Sequence, residues 1–381
     1  MSSNNIIDLN HYGLSLIDPF VFVRCTLIQT LDLSVNNLTK LYSKSFYGMW
    51  NLKKLYLSFN QISQLESDVF RELNLLNILD LSHNLIENLD VNLFDNLQNL
   101  KCIDLGSNQI EYLNQGTFKN LTTLESLFLN KNKLMSLDPL FRNLSSFKFL
   151  DVTFNQIVTI HNDTFKRLDK LKTIFISNNQ ISEINSETFK GADNLECLKA
   201  NNNRFKSIHR NLSINIPNLK ELAMSINNLS FMEPDFFESF LNLEILRLIG
   251  CSIKEINLSA LVNLKILNLY NNQITYFSQN LSSLKTLNVS DNPLNNLSYP
   301  LITSENSSLE ELDLTNCSLT FIDMNILRNF KNLKILSLRY NLLTFYITDF
   351  DGFPNLDEVH LDLIYKSRFS NFSPSFELKY P

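Results

Sequence analysis

Apolar residues recur along the chain in a frame of eleven positions, with leucine or isoleucine favoured at the first, fourth, sixth and eleventh. Leu52-Lys-Lys-Leu55-Tyr-Leu57-Ser-Phe-Asn60-Gln-Ile62 is followed by Leu76-Asn-Ile-Leu79-Asp-Leu81-Ser-His-Asn84-Leu-Ile86, then by Leu100-Lys-Cys-Ile103-Asp-Leu105-Gly-Ser-Asn108-Gln-Ile110. The frame LxxLxLxxNxL returns at a period of 24, starting at 4, 28, 52, 76, 100, 124, 147, 171, 195, 219, 243, 264, 284, 309, 333 and 356, which gives fifteen full units and a sixteenth broken one. Positions 4 and 6 alternate with polar neighbours at period 2, which predicts a short strand with one face inward. Such a strand is not stable alone. Stacked copies form one parallel sheet, each unit burying its apolar edge against the next. Strands stack about 4.8 Å apart, whereas the return segments need more room, so the stack is expected to bend with the sheet on its concave face.

Two further columns run through the repeat. Position 9 is asparagine in twelve units: Asn36, Asn60, Asn84, Asn108, Asn132, Asn155, Asn179, Asn203, Asn227, Asn272, Asn292 and Asn341. An inward amide donates and accepts at once, so it can satisfy backbone groups of its own and the neighbouring turn. Cys251 and Cys317 stand there in two units, and Tyr12 and Ile364 in the first and last, where the stack is expected to stop. Near position 19 comes Phe22, Phe46, Phe70, Phe94, Phe118, Phe141, Phe165, Phe189 and Phe237, backed by Cys25, Met49, Leu73, Leu97, Leu121, Leu144, Leu168, Ala192, Ile216 and Phe240. These read as convex-side packing, each side chain contributing roughly 1.5–3 kcal/mol on burial.

The repeat resembles the leucine-rich repeat family over nearly the whole chain. Its length and phenylalanine column are similar to the typical, mostly extracellular class, to which Toll and Toll-like receptor ectodomains and chaoptin- and Slit-like proteins belong. The resemblance implies an α/β solenoid: a leucine-rich repeat horseshoe with a concave parallel β-sheet and an irregular, short-helical convex side. The expected organisation is a solenoid over 1–363, irregular units within 243–308, and a tail over 364–381 able to cover the last edge with Phe369, Phe372 and Phe376. Units starting at 243, 264 and 284 have lengths 21, 20 and 25. They read as drift that the stack tolerates, or as a ligand-related break of the kind that many Toll-like receptors carry.

Composition narrows the function. With 7 glycines the chain lacks GxGxxG and GxxxxGK[ST], and a net charge of -6 gives no general field for nucleic acid. No run of 18 apolar residues spans a membrane. His11, His83, His161, His209 and His360 lie in separate units, and neither HExxH, CxxC nor GxSxG occurs. No catalytic site, metal or cofactor is therefore expected. Cys25, Cys102, Cys197, Cys251 and Cys317 are scattered and odd in number, so they read as free thiols, unlike the cysteine-rich caps of extracellular relatives. The start, MSSNNIIDLNHYG, does not read as a signal peptide. The chain is expected to be either a fragment of a longer secreted protein or an intracellular protein that caps itself with degenerate units. Thirteen N-x-[ST] sequons begin at Asn37, Asn120, Asn143, Asn162, Asn211, Asn228, Asn257, Asn280, Asn288, Asn296, Asn306, Asn316 and Asn371. About 8 are expected by chance from this content of asparagine, serine and threonine, which tilts toward secretion.

The variable strand positions 3, 5 and 8 make the candidate binding face. Aromatic residues gather in the third to eighth units as Tyr56, Phe59, Phe128, Phe149, Phe154 and Phe175, with Asp80, Asp104 and Asp151 among them. An apolar patch rimmed by charge marks a protein interface, although aspartate at position 5 is also a family default. Lys53, Lys101, Lys148, Lys172 and Lys220 at position 2 alternate with Glu125, Glu196 and Glu244 and read as a solvated edge. The resemblance implies a non-catalytic recognition module: the ectodomain, or a fragment of it, of a Toll-like or related surface or secreted innate-immune receptor binding a protein or microbial ligand on its concave face. A cell-adhesion or matrix protein, and a cytoplasmic scaffold or inhibitor, stay open as alternatives, as does pairing of solenoids into a homodimer or heterodimer.

Overall fold

The computed structural model describes residues 5–370 and 376–381. The chain divides into two compact units, Met1–Leu198 and Lys199–Pro381, and each is a solenoid of short parallel strands joined by return segments.

In the first unit the strands run Ile6–Asp8, Thr30–Asp32, Lys54–Tyr56, Ile78–Asp80, Cys102–Asp104, Ser126–Phe128, Phe149–Asp151 and Thr173–Phe175. Each pairs with the next in parallel, position for position: Leu31 opposes Leu55 and Leu150 opposes Ile174. The second unit repeats this from Glu221–Ala223 to Glu358–His360. Register holds across the short turns, where Leu246 opposes Leu267 and Leu267 opposes Leu287. Residues lost from these turns come from the return side, because a register slip would turn the leucines outward.

Position 4 and 6 side chains are buried from the second turn on, Ile7 and Leu9 of the first being half-buried, and the phenylalanine column packs ring against ring. Phe46 and Phe70 lie 6.0 Å apart, Phe94 and Phe118 6.0 Å, Phe165 and Phe189 5.4 Å, all near parallel. Cys25, expected at a buried place in this layer, is only half-buried, because it backs the first full turn, where neighbours are fewer.

The asparagine column forms a hydrogen-bond ladder. Asn84 Nδ2 donates to the carbonyls of Leu81 and Ser82 in its own turn and of Leu57 in the turn before, while its Oδ1 accepts from Ile62 N–H. Asn36, Asn60, Asn108, Asn132, Asn155, Asn179, Asn272, Asn292 and Asn341 repeat the scheme. At Cys251 and Cys317 the thiol still reaches the preceding turn, 3.4 Å from Met224 O and 3.3 Å from Val289 O. It does not take over the acceptor role. Leu229 N–H goes to the backbone carbonyl of Cys251, and Asn295 N–H to that of Cys317.

Position 8 is left-handed in turn after turn: φ is 54° at Val35, 54° at Phe59, 53° at His83, 55° at Lys131, 56° at Phe154 and 56° at Ile226. That bend lets its N–H reach the next turn, as Phe59 N–H does to Ser82 O. Asn178, Asn202, Asn271 and Gly250 occupy the same column elsewhere.

Return segments are mostly turns. Short helices occur at Leu212–Asn215, Met324–Arg328 and Ile364–Arg368, the second capped by Asp323, which accepts from Asn325 N–H. The stack was expected to stop at Ile364. Instead the strand Glu377–Lys379 adds in parallel to Glu358–His360, and Phe376 packs against Phe350 at 5.7 Å. An open parallel edge leaves backbone groups unpaired, and this strand pairs them. Asn371 and Phe372 lie outside the described residues.

Candidate binding face

Positions 3, 5 and 8 of successive strands are neighbours across the ladder, so side chains 24 residues apart in sequence touch. Phe149, at position 3, sits between two position 5 rings: Phe128 at 5.0 Å and Phe175 at 5.2 Å, the second edge-on. Such edge and tilted contacts are favourable for aromatic pairs. In the third and fourth units, Phe59 lies flat on His83, with centroids 4.1 Å apart and planes 10° apart. Phe154 stands clear, 53% exposed, and Phe59 is 54% exposed.

Six aromatic side chains were expected to be exposed. Phe59 and Phe154 are, whereas Tyr56, Phe128, Phe149 and Phe175 are half-buried. For the three phenylalanines the cause is simple: at strand spacing Phe149 leans on Phe128 and Phe175 in the adjoining turns, and the rings cover one another in part. His83 and Lys131 belong to this face as well and were not among the expected site residues. The position 8 column was the signal that pointed to them.

Asp80, Asp104 and Asp151 lie half-buried on the same face. In each, Oδ1 accepts the N–H two residues on, from Ser82, Gly106 and Thr153. That bond is structural, a tight turn closing the end of the strand. Oδ2 of each makes no hydrogen bond among the described residues, so the charge faces outward. Asp104 feels the crowding most. Burial pushes its carboxyl up, and Asp80 and Asp151 add to the shift, while Gly106 N–H and His83 oppose it. Tyr56 is pushed up by burial and then by Asp32 and Asp80. Cys102, on the same face, is pushed up to about 11 by burial and then by Asp104 and Asp80. It is therefore a protonated, unreactive thiol at neutral pH.

The lysine edge is paired: Lys148 to Glu125 at 2.6 Å, Lys172 to Glu196 at 2.7 Å and Lys265 to Glu244 at 2.7 Å. All five cysteines are free. No group of three metal-ligating side chains occurs among the described residues, and no helix there is long and apolar enough to cross a membrane. The sequon asparagines within the described residues are exposed or half-exposed. Asn288 lies on the strand Thr286–Asn288, facing outward with the position 5 residues, and accepts from Ser290.

The arrangement offers a broad face with aromatic rings in contact and fixed carboxylates between them. Comparison with known proteins agrees with the fold. A comparison with curated proteins returns no match. Among solved structures, a Leptospira interrogans leucine-rich repeat protein is similar over 98% of this chain and 95% of its own, with 26% identity and a TM-score of 0.83. A Toll-like receptor solved with single-stranded RNA is similar over 99% of this chain and 54% of its own, at 21% identity and a TM-score of 0.71. An internalin from Listeria monocytogenes covers 90% and 86%, at 22% identity and a TM-score of 0.63. The profile of the leucine-rich repeat matches residues 5–62, 50–110, 74–134, 98–157, 145–205 and 307–362. With most of its length matched by that profile and its turns stacked on the asparagine ladder, the chain belongs to the leucine-rich repeat family.

Proposed function

We propose that the chain is a non-catalytic recognition module that holds a protein partner on the strand face between Tyr56 and Phe175. The observation that carries this reading is the contact group Phe128, Phe149 and Phe175 with Asp104 and Asp151 beside it. Half-exposed rings held by their neighbours lose little freedom on docking, and aromatic residues dominate interface energetics. Carboxylates with one oxygen fixed and one outward favour a partner that brings lysine or arginine beside an apolar side chain. The Toll-like, surface-exposed or secreted reading is the finer form of this proposal. It draws support from the exposed sequons and from the fold shared with a Toll-like receptor. A second form is the cell-adhesion or matrix reading, in which the same broad strand face is itself the contact surface.

Selection of a displayed random-peptide library on the folded protein tests the face. The expected binders combine basic with aromatic or aliphatic residues, and they are lost when Phe128 and Phe154 are changed to alanine. The Ser337→Ala protein retains them. Acidic binders, or binders indifferent to the double phenylalanine change but lost with Ser337→Ala or His360→Ala, would reverse the assignment. Selective binding of a glycan or lipid in place of basic peptides would point to a microbial ligand of another class.

A further inference from the structure

On the return side of the first unit, away from the strand face, Arg142, Asn143, Lys166 and Arg167 line a cavity of about 260 Å³. Two of the three cations share one carboxylate. Asp163 lies 3.2 Å from Lys166 and 3.7 Å from Arg142, and Arg167 makes no ion pair among the described residues. The backbone of Arg167 is left-handed outside the position 8 column. Its φ is 66°, and the same repeat position is glycine at Gly48 and Gly191, with φ of 100° and 93°. Gly191 closes down on this loop: a Cβ there would lie 2.7 Å from Arg167 N, and Gly191 O accepts from Leu168 N–H. A long side chain therefore stands at a position suited to glycine, and its strain coincides with an uncompensated charge at the mouth of a cavity. Strained backbone is enriched at ligand sites.

We infer that this cavity is an anion site that takes a tetrahedral oxyanion, a sulfate ester or a phosphate monoester, between the Arg142 and Arg167 guanidinium groups. Two forked donors and an ammonium match the oxygens of such a group, and arginine favours this geometry. Asn143-Leu-Ser145 is a sequon, and a glycan on Asn143 would stand in the cavity, so the measurement calls for protein made without N-glycosylation.

Calorimetric titration of the whole chain with inorganic sulfate and inorganic phosphate tests the site. Saturable binding is expected, weakening with added sodium chloride. Arg142→Gln and Arg167→Gly should each weaken it by about tenfold, the loss of one charge-assisted contact. Asp163→Asn should tighten it, and Arg71→Gln, outside the cavity, should leave it unchanged. Arg167→Gly should melt no lower than the unaltered chain, since glycine suits that backbone; this separates loss of a ligand contact from loss of fold. A sulfated disaccharide and glucose 6-phosphate distinguish the sources, the tighter of the two naming the class. Absence of saturable binding into the millimolar range, equal affinity across the variants, or an Arg71→Gln loss as large as that of Arg142→Gln would overturn the inference.

Discussion

A single side chain in this protein acts through its place in the turn. Asn155 shows this: its Oδ1 accepts from Leu134 N–H and its Nδ2 reaches Leu129 O and Val152 O. Asn155→Leu is expected to destabilise by about 1–3 kcal/mol through the unsatisfied groups left behind. Amide exchange should accelerate in the adjoining turns first, and uniform protection across residues 124–194 would refute that role. Asp104 makes a different prediction. Its folded-state pKa is raised, so the stability it confers is present when it is protonated and is lost as pH rises through that pKa. Asp104→Asn keeps an acceptor for Gly106 N–H and removes the charge. The variant should melt higher than the unaltered chain at neutral pH, and the gain should vanish below the ordinary carboxylate range. It should also bind basic peptides less well, which makes the carboxylate a cost to the fold that a partner offsets.

At the scale of one turn, the left-handed column separates what the fold needs from what the surface uses. Asparagine and glycine suit that backbone, whereas a β-branched residue there costs roughly 1–2 kcal/mol. Val35→Asn and Ile226→Asn should therefore each raise the melting temperature, and a fall would show that these side chains pack. The thiol turns are a second case. Burial pushes Cys251 up to about 11 and Cys317 up to about 12, so both should resist alkylation in the native state and appear unbridged by mass spectrometry without reductant. Much of this was legible in the sequence. The leucine frame fixed strand positions and register because a slip of one residue would have exposed every core side chain. The left-handed bend of position 8 was not read, although Asn178, Asn202 and Gly250 in that column are residues that suit it. The half-burial of Phe128 and Phe149 was not legible, since period 2 tells which face a ring takes and not how far it leans on the next turn. Arg142, Lys166 and Arg167 escaped notice because they come from different return segments, where spacing is least regular. The tail was expected to lie over the last edge, but its form as a paired strand, Glu377–Lys379, was not legible because it carries no repeat motif.

For the whole molecule, the consequence of a repeat is that contacts are made chiefly between neighbouring turns. Stability is then a sum over interfaces, and the Asn288 sequon offers a local probe of the strand face. A glycan attached there should block peptides that select the second unit's strands while sparing those that need Phe128 and Phe154; loss of both would mean that the assignment of faces is wrong. The asparagine ladder has a further meaning under tension. A chain pulled from its ends would peel turn by turn, each rupture freeing about 24 residues, or roughly 80 Å of contour length at full extension. Where a thiol replaces the amide, at Cys251 and Cys317, a backbone carbonyl takes the N–H that an amide oxygen accepts elsewhere. Those two rungs should give way at lower force than their neighbours, so the ladder sets the order in which the coil unwinds.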